Sequence, residues 1–254
     1  MDKTLKEREY FISGIRNLFT LCEKRGTPCF SAFLAEEQRA EIEPMAEKLA
    51  RSGFQILFWG GYPDAQRTML GVFPDYITPE TELFPIVAYT ARFGGDFREI
   101  GHRDVLGTLM GQQIRRETIG DISIQPGKAV IFAEERVEKV LATQIDRIGG
   151  TGITMEKGFE PFSSEQRFAE IRGTLSSLRL DAAAALCAGT AREKASAMIA
   201  AGLCSLNHLE EKDQSKRLAE GDILTIRGKG KFRLAEVGGL TKKGRTTVTF
   251  LKYL

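Results

Sequence analysis

Thr190-Ala191-Arg192-Glu193-Lys194-Ala195 is the stretch that decides how the last third of the chain folds. It opens a helical pattern that stops at Gly202. We interpret Thr190 as the N-cap of this helix, because its hydroxyl can accept a hydrogen bond from the first turn. Arg192 and Lys194 then lie in the first two turns, beside backbone N–H groups whose partial positive charge favours a phosphate.

A β-rich segment follows this helix, and in part of it basic residues recur at every second position: Arg227, Lys229, Lys231 and Arg233. A period of two predicts that all four lie on one face of a strand or hairpin. Gly228 and Gly230 between them allow a phosphate to approach the backbone closely. From residue 227 to residue 252 the chain has 8 basic residues and one acidic residue, Glu236. The segment therefore predicts an RNA-facing surface.

The charge of the chain is unevenly distributed. The 36 Lys and Arg residues nearly balance the 34 Asp and Glu residues, and a formal charge of +2 argues against a nucleic-acid partner when taken alone. Residues 1–177 carry 22 basic and 26 acidic residues, a net of −4, whereas residues 178–254 carry 14 and 8, a net of +6. The basic excess is thus confined to the last third.

The front of the chain predicts two smaller domains, so that the protein is expected to be α+β with three small domains. Residues 1–80 predict an α/β unit of two helices and a β-hairpin. Residues 81–160 predict strands and helices in the order β-α-β-β-α-β, a ferredoxin-like arrangement shared with RNA-recognition motifs. The third of these strands has one aromatic residue, Phe132, so the fold does not by itself predict RNA binding there. Residues 161–177 predict a linker with one strand, and residues 178–254 the basic domain.

Several classes of protein are disfavoured by composition. The charged start of the chain is unlike a signal peptide, and no stretch reaches the ~18 to 20 apolar residues of a membrane span, so we expect a soluble cytoplasmic protein. Four cysteines without C-x-x-C spacing and two histidines predict no metal site. No cofactor loop and no set of catalytic residues with suitable spacing is found, so we expect no cofactor, no small-molecule substrate and no catalysis.

The C-terminal pattern over residues 178–236 resembles the S-four RNA-binding domain, the αL-type module named after a small-subunit ribosomal protein. The resemblance is carried by Arg179-Leu180-Asp181, by the stretch at 190–195 and by Gly202-Leu203-Cys204-Ser205-Leu206-Asn207. Thr190 and Ala191 stand where a Ser is common before the Arg, and His208 replaces a usual Gly. Together with the strand residues above, the resemblance implies this RNA-binding set: Arg179, Thr190, Arg192, Lys194, Asn207, Arg227, Lys229, Lys231 and Arg233.

Nearly the whole chain resembles one family, the YlmH-like RNA-binding proteins encoded near bacterial cell-division genes. The main motifs are Trp59-Gly60-Gly61-Tyr62-Pro63-Asp64-Ala65-Gln66-Arg67, His102-Arg103-Asp104-Val105-Leu106-Gly107 and residues 114–122. The resemblance implies binding to rRNA of the large ribosomal subunit with peptidyl-tRNA, and support for the rescue of stalled translation by C-terminal tailing. A monomer is the simpler expectation for such a factor.

Two charged motifs in the middle domain admit alternatives. His102-Arg103-Asp104 has residue types used in acid–base catalysis, but a helix start capped by His102 or Asp104 is the favoured interpretation. Arg103, Arg115 and Arg116 are candidates for a second RNA contact, against the alternative of a solvated charged turn.

Two other functions remain open from the sequence. One is an RNA-modifying enzyme that docks through the C-terminal module and has its chemistry in residues 1–160. Separately, Arg179-Leu180-Asp181 is similar to the catalytic motif of pseudouridine synthases, which would make Asp181 a nucleophile. We assign Asp181 instead to local capping or packing. The other is a division-associated scaffold that recruits proteins through the acidic front half.

Overall fold

The computed structural model describes residues 3–94, 100–161 and 168–254, with side chains from residue 6 onward. The chain divides into two compact units, Met1–Pro161 and Phe162–Leu254. Each unit mixes helices with antiparallel sheets, which confirms the α+β class. Among the described helices, none is both long and apolar enough to span a bilayer.

The first unit begins with two helices packed on a small sheet. Its elements are α1 (Lys3–Arg25), β1 (Cys29–Phe30), α2 (Glu36–Ala50), β2 (Phe54–Trp59) and β3 (Met69–Pro74). The strand order is β1-β3-β2, with every pair antiparallel. Apolar residues at helical spacing, such as Ile15 and Phe19 of α1, meet the buried strand residues Leu70 and Val72. The two predicted helices and the hairpin are thus present.

The remainder of the first unit has the predicted order β-α-β-β-α-β. Its elements are β4 (Ile86–Arg92), α3 (His102–Gly111), β5 (Ile119–Gln125), β6 (Lys128–Glu134), α4 (Glu138–Gln144), β7 (Arg147–Ile148), β8 (Thr151–Gly152) and β9 (Thr154–Lys157). The main sheet has the order β5-β6-β4-β9 and is antiparallel, as in a ferredoxin-like fold. The second helix, α4, is short, because β6 continues to Glu134 and a 3₁₀ turn, Glu135–Val137, precedes the helix.

The second unit is a six-stranded antiparallel sheet with two helices. Its elements are β10 (Phe168–Leu175), α5 (Leu180–Ala188), α6 (Arg192–Ala200), β11 (Cys204–Leu206), β12 (Leu209–Glu210), β13 (Ile223–Ile226), β14 (Gly230–Leu240) and β15 (Thr246–Tyr253). The strand order is β10-β15-β14-β13-β11-β12. Buried residues of α5 and α6, such as Leu180 and Ile199, pack against Leu224, Phe232 and Phe250 of the sheet.

The structure corrects the prediction that residues 161–177 form a linker, because Phe168–Leu175 form a strand of the second unit. β10 pairs with β15 along its whole length, from Phe168 opposite Tyr253 to Leu175 opposite Thr246. This strand is therefore an edge strand of the second unit. Residues 162–167 lie outside the described part of the chain. The boundary predicted at residue 80 also does not separate two units, since residues 1–161 are compact as a whole.

Candidate nucleic-acid interface

Three charged side chains of the second unit form one ion-pair network. Asp181 is 4% exposed, and both its carboxylate oxygens accept hydrogen bonds from Arg192 Nη2, at 2.9 and 2.8 Å. Arg179 donates to the same carboxylate through Nε at 3.3 Å and Nη2 at 3.1 Å. Burial alone raises the pKa of the Asp181 carboxyl, but the two guanidinium groups outweigh burial and hold that pKa below its ordinary value. Asp181 thus fixes two of the predicted RNA-binding residues side by side.

The geometry of Asp181 does not suit the pseudouridine-synthase interpretation. A nucleophilic carboxylate needs an accessible oxygen, whereas both oxygens here are engaged by arginines and the residue is buried. Asp181 also does not cap α5, since the capping residue is Arg179 and no side-chain capping hydrogen bond forms. The capping expected from the sequence is therefore wrong, whereas the burial of Asp181 agrees with the packing alternative and is combined with ion pairing.

The start of α6 differs from the prediction by one residue. The N-cap is Ala191, which offers no side-chain acceptor to the first-turn amides. Thr190 instead completes the end of α5, because its N–H donates to the carbonyl of Ala185 at 3.0 Å next to Gly189, whose φ is +61°. Arg192 and Lys194 are exposed in the first turn of α6. The uncapped amides and two cations therefore remain together, as expected for an anion-binding helix start.

The four alternating basic residues do not share one strand face. Arg227 and Lys229 are exposed in the turn that joins β13 to β14, and only Lys231 and Arg233 lie on β14. The turn breaks the period of two because Gly228, at φ +77°, takes a left-handed conformation.

Lys231 and Arg233 point to the sheet face opposite the core. The Lys231 ammonium lies 5.1 Å from the Tyr253 ring centroid, and the Arg233 guanidinium lies 5.6 Å from that of Phe168. These two rings contact each other edge to face at 5.0 Å. Both cations are half-buried over aromatic rings, so their charges are less accessible to RNA than those in the turn.

Asn207 has a structural role that the sequence did not reveal. Its φ is +49° in the turn between β11 and β12, and His208 beside it has a φ of +70°. The Asn207 amide donates to Asp222 Oδ1 at 2.9 Å and accepts the N–H of Ile223 at 2.9 Å. Both ends of this amide are therefore used within the chain.

The three arginines predicted as a second patch have different environments. Arg103 and Arg115 are exposed, and Arg115 comes only within 3.9 Å of Glu117. Arg116 is half-buried and donates to the carbonyls of Ile119 and Gly120 at 2.7 and 3.3 Å. Burial lowers the pKa of Arg116. Arg116 is thus a structural residue, while the other two can meet solvent or RNA.

The motif His102-Arg103-Asp104 starts a helix, as favoured from the sequence. Gly101 is the N-cap of α3, and its N–H donates to Asp104 Oδ2 at 2.9 Å. Within residues 3–94, 100–161 and 168–254, no group of three or more His, Cys, Asp or Glu side chains is placed to hold a metal ion.

Phe132, the one aromatic residue of the third strand of the ferredoxin-like sheet, is covered by other residues of the chain. The Phe132 side chain is fully buried. It stacks on Tyr62 at 4.8 Å between ring centroids and meets Phe159 at 5.0 Å. Gly61, at φ +100°, allows this stack because a Cβ there would stand 2.5 Å from the Phe132 ring. The Phe132 ring is thus engaged by contacts within the chain, whereas the aromatics of an RNA-recognition motif are exposed for stacking on bases.

Asp121 of β5 joins the two parts of the first unit, and sequence reasoning missed it. Its carboxylate accepts hydrogen bonds from Tyr62 Oη at 2.8 Å and from the backbone N–H groups of Gln66 and Arg67 at 2.7 and 3.1 Å. Arg67 in turn donates to the carbonyls of Ile119 and Phe33 at 2.9 and 3.2 Å. The motif at 59–67 therefore serves packing, and no pattern within it pointed to the partner 54 residues or more away.

Desolvation is the main cause of the pKa shifts of Arg67 and Tyr62, which both contact Asp121. Burial, with the nearby charge of Arg116, lowers the pKa of Arg67 to about 10, so Arg67 still carries its charge at neutral pH. Burial and the Asp121 carboxylate raise the pKa of Tyr62. The phenol of Tyr62 therefore keeps its proton, and its hydrogen bond to Asp121, at neutral pH.

Comparison with known proteins agrees with the motif resemblance. Residues 79–159 match the family model described as "Putative RNA-binding domain in YlmH". A protein of Bacillus subtilis (strain 168), named ribosome-associated protein quality control protein P2, is 35% identical over 197 residues, which are 77% of each chain. A solved structure, the cell division protein ylmH from Streptococcus pneumoniae, shares the fold with a TM-score of 0.50 at 22% identity, over 63% of this chain and 94% of that one. This chain therefore belongs to the YlmH-like family of RNA-binding proteins.

Proposed function

We propose that this protein binds structured rRNA of the large ribosomal subunit, with peptidyl-tRNA as a further partner, and supports the rescue of stalled translation without catalysing a reaction. The name of the Bacillus subtilis relative refers to ribosome-associated quality control. The family model refers to RNA binding. A cytoplasmic monomer is the state that fits this role.

The ion-pair network of Asp181 is the observation that carries the proposal. It holds Arg179 and Arg192 at the surface, where their side chains are 37% and 50% exposed, next to the uncapped start of α6 and to Lys194. Guanidinium groups and free amides held in fixed positions match the oxygens of a phosphate backbone. Such contacts read the position and shape of RNA more than its sequence.

The architecture around the network supports an S-four-type module. Two short helices, α5 and α6, precede the antiparallel strands β11 to β14 within residues 178–236. β10 and β15 extend the same sheet beyond that range. The turn with Arg227 and Lys229 offers a second group of exposed cations, and Arg103 and Arg115 are candidates for a contact from the first unit.

The two other candidate functions have weaker support. An enzyme of the pseudouridine-synthase type needs a free carboxylate, and Asp181 is paired with two arginines. A division-associated scaffold has the name of the Streptococcus pneumoniae structure in its favour, but no described surface identifies a protein partner. Mass analysis of bound RNA for new modifications tests the enzyme function directly.

Sedimentation tests the ribosomal part of the proposal. The full chain is mixed with ribosomal subunits from a bacterium and separated on a sucrose gradient. We expect it to travel with the 50S particle at moderate salt. A ribosome-independent scaffold stays at the top of the gradient, and that result would overturn the proposal.

A gel-shift series with large-subunit rRNA tests the helical surface. Lys194→Glu reverses a charge without touching Asp181, whereas Arg192→Gln removes one guanidinium and avoids placing a second carboxylate beside Asp181. We expect the double variant to bind at least about tenfold more weakly, which corresponds to about 1.4 kcal/mol. The control, Arg16→Gln with Lys24→Glu, makes the same charge change on exposed positions of α1. Equal affinities of the two double variants would contradict the assignment.

A further inference from the structure

A cleft of about 400 Å³ lies within the second unit, between the end of β10, the outer side of α5 and the turn that joins β14 to β15. Its volume falls in the range of small-molecule pockets. Of its ten lining residues, only Thr190 and Arg192 belong to the predicted RNA-binding set.

One wall of the cleft is apolar. Ala182, Ala185 and Leu186 are spaced at i, i+3 and i+4 on α5, so they lie on one face of that helix. All three are half-buried. Small side chains beside one larger aliphatic chain leave a shallow apolar surface, which suits a flat aromatic ring. The hydroxyls of Thr174, Ser176 and Thr190 supply polar groups around it.

Two of the lining residues, Arg192 and Arg245, are cationic. Arg245 is exposed, and its Nη2 donates to the carbonyl of Thr174 at 2.6 Å, which orients the guanidinium at the edge of the cleft. Arg192 is oriented by Asp181 at the uncapped start of α6. None of the ten lining residues, all in the described range 168–254, is acidic. Two oriented guanidinium groups favour a phosphate, and in RNA the unit that carries both a phosphate and a flat ring is the nucleotide.

We propose that this cleft binds one unpaired nucleotide of the RNA, with its base against Ala185 and Leu186 and its phosphate between Arg192 and Arg245. The inference rests on the proposed function and deepens it, because it adds a contact to a single base beside the contacts to the phosphate backbone. Arg245 lies outside residues 178–236, so the site depends on the β14–β15 turn, which the S-four resemblance does not include.

Nuclear magnetic resonance titration of the ¹⁵N-labelled full chain tests the site with three probes: adenosine 5′-monophosphate, adenosine and inorganic phosphate. We expect the nucleotide to shift the amide signals of Gly189, Thr190 and Arg192 in a saturable manner. Adenosine and phosphate alone should bind at least about fivefold more weakly, because each makes only part of the contact. Equal affinity for phosphate and for the nucleotide would overturn the base contact, and an absence of saturable shifts would overturn the site.

Two variants and one matched control test whether the nucleotide binds in the cleft. Arg245→Ala removes one of the two lining cations, and Ala185→Leu fills the apolar wall. Lys243→Ala removes an equal charge from the same turn, but Lys243 does not line the cleft. We expect both cleft variants to weaken nucleotide binding by about fivefold or more and the control by less than about twofold. Thermal unfolding shows whether each variant is folded. If Ala185→Leu does not fold, Arg245→Ala still tests the site, because Arg245 is exposed.

Binding of large-subunit rRNA separates failure of the site from failure of the function. If Arg245→Ala binds rRNA as well as Lys243→Ala does, while Lys194→Glu loses affinity, the cleft proposal is wrong and RNA binding by the helical surface stands. If the unmodified chain does not bind rRNA, the proposed function is wrong, and the cleft proposal, which depends on it, falls with it.

Discussion

Asp181 and Arg192 are eleven residues apart in the sequence, on different helices, and a single guanidinium nitrogen of Arg192 donates to both carboxylate oxygens of Asp181. Arg179 binds the same carboxylate from the preceding loop. The network therefore connects the start of α5 to the start of α6. It contributes both to the stability of the helix pair and to the arrangement of the surface charges.

Asp181→Asn should destabilise the second unit by about 1 to 3 kcal/mol, because it removes the charge that neutralises two arginines. The lower end allows for solvent screening, since the arginine side chains are 37% and 50% exposed. Urea unfolding measures the change. Glu193→Gln, at an exposed position of α6, is the control and should change the unfolding free energy by less than about 0.5 kcal/mol.

The pH dependence of that difference follows from the lowered pKa of Asp181. A carboxyl whose pKa is lower in the folded state than its ordinary 3.8 stabilises the fold above that value, and the contribution is lost as pH falls through the folded-state pKa. The gap in unfolding free energy between the unmodified chain and Asp181→Asn should be constant at neutral pH and shrink below about pH 4. A gap independent of pH down to pH 2 would contradict the charge network.

Asp121→Ala should destabilise the first unit by about 2 to 4 kcal/mol, because three hydrogen-bond donors lose their acceptor. Tyr62→Phe removes one of these bonds and keeps the stack on Phe132, so it should cost only about 1 kcal/mol. Chemical denaturation of the full chain gives both values. Asp75→Asn, at an exposed site, serves as the reference. Equal changes in unfolding free energy for Asp121→Ala and Asp75→Asn would show that the hydrogen bonds of Asp121 do not stabilise the first unit.

Phe132→Leu should lower stability while leaving RNA affinity within about twofold, since the ring is buried by the chain's own Tyr62 and Phe159. The expected loss is about 1 to 2 kcal/mol from imperfect repacking. Filter binding to rRNA at a temperature well below the unfolding midpoint checks the affinity. A large loss of binding in a folded variant would indicate that bases reach this strand after all.

Lys194→Gln should reduce the salt dependence of RNA binding. Each lost phosphate contact lowers the slope of log K against log salt concentration by about 0.7 to 0.9. Lys229→Gln in the β13–β14 turn should have the same effect if both cations contact the backbone. Lys24→Gln on α1 is the control. An unchanged slope for Lys194→Gln would exclude a phosphate contact at this position.

Asn207→Ala should be more destabilising than Asn207→Gly. Both variants lose the hydrogen bonds to Asp222 and Ile223, but only alanine also strains the left-handed backbone at φ +49°. The expected difference is about 1 kcal/mol in thermal or urea unfolding. RNA affinity of the folded variants should be preserved. A loss of RNA binding in a folded variant would indicate that Asn207 contacts RNA.

Local pattern was sufficient to predict most elements of this fold. Helical patterns predicted α1, α2 and α6, and the order of the elements in residues 81–160 predicted the ferredoxin-like arrangement. The pairing of β10 with β15 was not accessible in this way, because the two strands are about seventy residues apart and a short alternating segment has no partner in its own neighbourhood.

The sequence predicted which residue types form the candidate site but not how their side chains are arranged. Arg192 and Lys194 are where the helix period places them, whereas Arg227 and Lys229 are in a turn that the period of two cannot reveal. The contacts of Asp121 with Tyr62 and of Asp181 with Arg192 depend on tertiary structure, since the residues meet only after distant elements pack. Arg245 was overlooked as one of several basic residues near the end of the chain.

The buried carboxylate of Asp181 also has a consequence for selectivity. It reduces the formal charge of the three-residue network from +2 to +1, which weakens long-range attraction to any polyanion. It also restricts the arginine side chains before binding, so less conformational entropy is lost when a correctly shaped RNA arrives. Under the proposed function, the network would therefore lower the affinity for arbitrary nucleic acid and favour RNA surfaces whose phosphates match the spacing of the two guanidinium groups.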